Sequence, residues 1–144
     1  MKYQHILVAI DLSPRSKQVI QRAQAVAEKN NARVDIVHVI EHSPVAYGGE
    51  FSIPIDVNLE YNIETQARQS LASLGKETHI ATQNQHVLSG SVKRVVIDLA
   101  DKLGVDLIVV GTHGHQGLDK LLGSRANAIL HGARCDVLAV RAQE

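Results

Sequence analysis

The sequence predicts an α/β fold: a single domain, doubly wound around a five-stranded, mainly parallel sheet. Three observations carry this. The apolar runs His5–Ile10 and Asp106–Val110 are continuous rather than alternating, as in strands buried on both faces. Strand-like and helix-like segments take turns along the chain, which is the βαβ pattern. The 144 residues are 44% hydrophobic but only 3% aromatic, enough for one core made of Val, Ile, Leu and Ala.

The first strand, His5-Ile6-Leu7-Val8-Ala9-Ile10, runs into Asp11, Leu12, Ser13 and Pro14. Ser13 is a helix N-cap candidate, with Pro14 at the first helical position, where its missing N–H costs nothing. Val19, Ile20, Ala23, Val26 and Ala27 recur at helical spacing until the Asn30-Asn31 stop. Val34 to Ile40 reads as the second strand, reached by a right-handed crossover. Residues 41–60 hold Pro44, Gly48, Gly49 and Pro54 and form the least regular stretch, a long connection of the kind that often carries function. A helix is expected from about Leu59 to Leu74, ended by Gly75.

Thr78 to Leu88 contains a third, more polar strand, suited to a sheet edge, and Ser89-Gly90-Ser91 is a turn and cap. Val92, Val95, Val96, Leu99 and Leu103 mark the next helix, closed by Gly104. Asp106 to Val110 is the fourth strand, leading into the loop Gly111 to Gly117. The last helix carries Ala126, Ile129 and Leu130, and Val137 to Val140 is the fifth strand.

Several function classes are disfavoured. Lys plus Arg equals Asp plus Glu at 15 each, so no positive field is available for non-specific nucleic-acid binding. No apolar stretch approaches the roughly 20 residues of a membrane span, and the N-terminal apolar run is too short for a signal peptide. Cys135 is the single cysteine, so no intramolecular disulfide forms; a cytoplasmic, reducing location is expected. The string GxxxxGK[ST] is absent. Asp11 lacks the acidic neighbours that a phosphoacceptor receiver domain needs. No Ser-His-Asp order or carboxylate pair stands out, so an enzyme is not expected.

In open parallel sheets ligands bind beyond the carboxyl ends of the strands. Two loops there hold the candidate residues. One is Ala9-Ile10-Asp11-Leu12-Ser13, where Asp11 either meets a ribose or metal or helps to cap the first helix. The other begins at Gly111, with glycines also at 114 and 117, followed by Gly123-Ser124. Such a loop turns backbone N–H groups towards an anion, although glycines between strand and helix also serve plain turns. Arg125 and Lys120 either neutralise phosphate or are solvated helix charges. His113 and His115 suggest a metal only with a third ligand, which the neighbourhood lacks. Cys135 reads as a semi-buried structural thiol.

Four segments, HILVAIDLSP, VDIVHVIE, DLIVVGTHGHQGLDKLLGSRANAIL and CDVLAVR, together resemble the universal stress protein family over essentially the whole chain. The resemblance implies one domain over residues 1–144, with a Rossmann-like, adenine nucleotide alpha hydrolase-like fold. It also implies dimerisation through the last strand and a regulatory role in stress. Many members bind ATP, with Mg²⁺, through a Gly-two-Gly-nine-Gly-Ser/Thr pattern. Carried onto this chain, the pattern falls on Gly111, Gly114, Gly123 and Ser124, with Asp11 after the first strand and backbone at Ala9, Ile10 and Val39 lining base and ribose. The chain departs from it: eight residues, not nine, separate Gly114 from Gly123. Losing one residue shifts the Gly-Ser pair by ~3 Å, comparable to a whole hydrogen-bond length. Part of the family does not bind ATP.

The expectation is therefore a dimeric stress-response module with an ATP or AMP site at these residues, hydrolysing ATP slowly at most. The alternative is an interaction protein without a nucleotide. Independently of the family, Val137-Leu138-Ala139-Val140 is an apolar strand near the chain end: either its exposed edge invites a second copy, or it is the sheet's short outer strand shielded by a helix.

Overall fold

The structure, a computed structural model, describes residues 2–41, 57–112 and 124–142. In chain order the elements are β1 (His5–Ile10), α1 (Ser16–Asn30), β2 (Arg33–Ile40) and α2 (Val57–Thr78). A 3₁₀ turn at Thr82–Asn84 then precedes β3 (Gln85–Ser89), α3 (Val92–Leu103), β4 (Leu107–Gly111), α4 (Ser124–Gly132) and β5 (Asp136–Val140). The five strands form one sheet in the order β3-β2-β1-β4-β5, and every pairing among them is parallel.

β1 is the central strand, which is why its apolar run is unbroken. Val8 pairs with Ile36 on one side and Val109 on the other. Alternate residues then feed two cores. Ile6, Val8 and Ile10 pack with Val19, Ile20 and Ala23 of α1 and Leu71 of α2. Leu7 packs with Val96, Leu99 and Ala100 of α3 and Ile129 of α4. The sheet is thus covered on both faces, and the doubly wound architecture follows from the two-residue period of β1 and β2.

Several boundaries differ from the sequence expectation, each for a local reason. Ser13 does not cap a helix starting at Pro14. Its carbonyl accepts from the Ser16 N–H (3.0 Å) and its hydroxyl from the Arg15 N–H (3.3 Å), so a turn precedes the regular helix. Gly75 does not end α2, which continues to Thr78. There the chain turns through His79, at φ 62°, and the Ile80 N–H returns to the Gly75 carbonyl at 2.8 Å. A Cβ on Gly75 would collide with the Gln85 side chain, so this glycine permits close packing instead of a stop.

Asp106 lies just outside β4. Its carboxylate accepts the backbone N–H groups of Gln4 (3.0 Å) and His5 (3.1 Å), fixing the entry to β1. The third strand occupies only the end of the expected stretch, and it is an edge strand as expected. Ser91 caps α3 by accepting from the Arg94 N–H, and Gly104 closes it at φ 71°.

One buried polar cluster had no signature in the sequence. Asp35, 3% exposed, accepts from His5 Nε2 and His86 Nε2, each at 2.7 Å, and from Asn84 Nδ2 at 3.1 Å. Burial works against the charged carboxylate, but these hydrogen bonds prevail and hold Asp35 below the usual carboxyl range. The cluster ties β1, β2 and β3 together near their amino ends, away from the candidate site.

Candidate functional site

The order β3-β2-β1-β4-β5 places a switch point at β1. The chain leaves β1 for β2 and β3 on one side, then returns to its other side as β4. Loops diverge beyond the carboxyl ends of β1 and β4, and a cleft opens where they part. The cleft holds about 360 Å³, on the scale of a small-molecule site.

Ala9, Ile10 and Asp11 from the end of β1 line this cleft, as does Val39 from β2. Gly111 at the end of β4 and Ser124 and Arg125 at the start of α4 line it as well. Seven of the nine predicted site residues therefore surround one cavity. The other two, Gly114 and Gly123, lie outside the described residues, as do His113, His115 and Lys120.

Asp11 accepts from the Ser13 N–H (2.9 Å) and the Ser16 hydroxyl (3.2 Å). Burial raises its pKa, but these hydrogen bonds outweigh it, so the carboxyl sits below its ordinary value. These bonds brace the turn that precedes α1, whose N-terminus has no side-chain cap, and the same residue borders the cleft. Gly111 also has a packing role: a Cβ there would stand 3.3 Å from Val19 Cγ2 of α1, tighter than an ordinary contact.

Next to it, Thr112 donates its N–H to the Val140 carbonyl at 2.9 Å, while its buried Oγ1 has no hydrogen-bond partner among the described residues. A buried hydroxyl without a partner is unfavourable and marks a place where a polar group fits. The α4 N-terminus at Ser124 and apolar walls from Val39 and Val110 also border the cleft.

Among the cleft residues not picked out from the sequence are His38, Arg15 and Glu41. His38 places Nδ1 3.0 Å from the Ile10 carbonyl; a carbonyl only accepts, so Nδ1 carries the hydrogen. Arg15 joins the wall from the turn before α1. Glu41, directly after β2, receives Arg125 Nε at 2.8 Å. The carboxyl-end rule that singled out Asp11 applies equally to Glu41, and that signal was available. Cys135 is half-buried and free, and its thiol is pushed up by burial and by nearby Asp136 and Asp101, as befits a structural cysteine. Among the described residues no three His, Cys, Asp or Glu are grouped to hold a metal, and no helix is long and apolar enough to cross a membrane.

A parallel sheet covered on both faces, with its cleft at the crossover of β1 and β4, defines a Rossmann-like α/β domain. The comparisons with known proteins narrow this class to a family. The model of the Universal stress protein family matches residues 2–141. Universal stress protein A homolog 1 of Coxiella burnetii is 68% identical over 144 residues, covering 100% of each chain. The chain belongs to the universal stress protein family.

Among solved structures, the universal stress protein UspA from Lactobacillus plantarum superposes with a TM-score of 0.80 at 22% identity, over 98% of this chain and 99% of that one. A universal stress protein in complex with cAMP superposes with a TM-score of 0.66 at 24% identity, over 99% and 100% of the two chains. Both share the fold.

Proposed function

We propose that this protein is a dimeric stress-response module whose cleft takes an adenine nucleotide, ATP or AMP, as a regulatory ligand. The observation that carries this reading is the convergence of Ala9, Ile10, Asp11, Val39, Gly111, Ser124 and Arg125 on one cavity at the switch point. The base would rest against apolar residues from β1 and β2, and the phosphates would meet the start of α4. With ATP, Mg²⁺ accompanies the phosphates. The cAMP complex of a protein of the same fold is in keeping with such a ligand. No catalytic residue is assigned; any ATP hydrolysis would be slow and incidental. A cytoplasmic location accords with this role.

Titration calorimetry with AMP and with ATP plus Mg²⁺ tests the reading. Micromolar binding that disappears in Gly114→Val supports it, because a side chain at that glycine would block close backbone approach. Absence of heat and of thermal stabilisation at millimolar ligand would sink it.

A second reading has its own observation. Arg125, the cation beside the α4 N-terminus, is already paired with Glu41. Together with the eight-residue Gly114–Gly123 spacing, this favours an interaction protein that works without a nucleotide.

The proposed dimer uses β5, one of the two edge strands. Val137 and Leu138 are half-buried and Ala139 is exposed, leaving an edge open to pairing.

A further inference from the structure

Glu41 and Arg125 reach the cleft from opposite sides of the switch point. Glu41 follows β2, and Arg125 is the second residue of α4, 84 positions along the chain. Arg125 Nε lies 2.8 Å from Glu41 Oε1 and an Nη lies 2.5 Å from the same oxygen. The two side chains are 47% and 39% exposed, so solvent screens the pair and it is open to exchange.

The two carboxylates that line the cleft among the described residues behave differently. Asp11 is satisfied locally by Ser13 and Ser16. Glu41 spends its carboxylate on Arg125, across the mouth. In that state the guanidinium edge formed by Nε and one Nη is committed to Glu41, and a phosphate entering beside Ser124 has to compete for it.

We propose that Glu41 is the specificity-determining residue of this cleft. It competes with the ligand's anionic tail for Arg125, so the site discriminates against highly charged nucleotides and favours adenine ligands of low charge. The inference rests on the proposed nucleotide binding and specifies which ligands of that class the cleft selects. An uncharged nucleoside enters without disturbing the pair. A triphosphate must separate Arg125 from Glu41 to reach the guanidinium edge that the pair occupies.

The test measures affinities of adenosine, AMP and ATP plus Mg²⁺ for the full chain and for Glu41→Gln, Arg125→Gln and the double variant. The melting temperature of each variant is recorded, and all four proteins are compared in the same buffer. Exposed pairs of this kind are weak, so Glu41→Gln is expected to raise the ATP-to-adenosine affinity ratio by about fivefold. The gain should be largely absent when Arg125 is already Gln, because the competition needs both partners.

Adenosine and ATP binding with the ratio unchanged in Glu41→Gln would overturn the inference and leave the binding reading standing. An equal gain in the Arg125→Gln background would also overturn it, since Glu41 would then act by its field and not by occupying the guanidinium. No binding of any ligand by any of the four folded proteins would remove the binding reading and this inference with it.

Discussion

At the scale of single residues, Asp35 is a buried carboxylate with three side-chain donors, and it lies outside the cleft. Its carboxylate is buried and shared by His5, His86 and Asn84. Removing it in Asp35→Ala leaves the buried His5 and the half-buried His86 without their shared acceptor and is expected to destabilise the fold by about 3 kcal/mol, measured by urea denaturation. The lowered pKa sets a pH dependence. Because Asp35 binds its proton more weakly in the folded than in the unfolded chain, its contribution is fully present above the ordinary carboxyl range and is lost as the pH falls through its depressed value. Asp35→Asn should therefore flatten the decline of melting temperature below about pH 4. An unchanged acid profile would show that the carboxylate is not the group responsible. None of this was legible in the sequence. His5, Asp35 and His86 belong to three strands, and they meet only because of the register that sets Leu7 beside Asp35 and Val37 beside His86.

At the scale of elements, legibility followed the strength of local signals. β1 and β4 were readable because burial on both faces leaves an unbroken apolar run. α3 was readable because Ser91 and Gly104 cap a helix of regular apolar spacing. Gly75 misled because a glycine inside a helix and a glycine after one look alike without the Gln85 side chain that packs against it. Gly104 offers a clean test of the capping argument. It has φ 71° and no atom within 4 Å of an added Cβ, so Gly104→Ala meets backbone strain alone. A loss of about 1 kcal/mol in thermal or urea unfolding is expected. No loss would mean that the end of α3 relaxes to another conformation. Of the cleft, the residues that follow β1 and β4 were foreseen from the carboxyl-end rule. The Glu41–Arg125 pair was not, since nothing near Glu41 in sequence announces a partner 84 residues away.

At the scale of the whole molecule, the five-stranded order puts β1 at the centre and leaves β3 and β5 at the edges. The proposed dimerisation through β5 is best probed at Ala139, which is exposed, and not at Val140, which is 9% exposed and belongs to the core around β1. Ala139→Lys is expected to convert dimers into folded monomers in light scattering; dimers that persist would move the interface elsewhere. The same topology brings the ends of β1, β2 and β4 and the start of α4 around one cavity, and the claim that this cavity takes an adenine nucleotide is the centre of the account. Amide chemical-shift mapping during titration with AMP tests it most directly. Saturable shifts concentrated at Ala9 to Asp11, Val39, Gly111, Thr112, Ser124 and Arg125 are predicted. No shifts at millimolar AMP, or shifts centred on another face of the sheet, would contradict it.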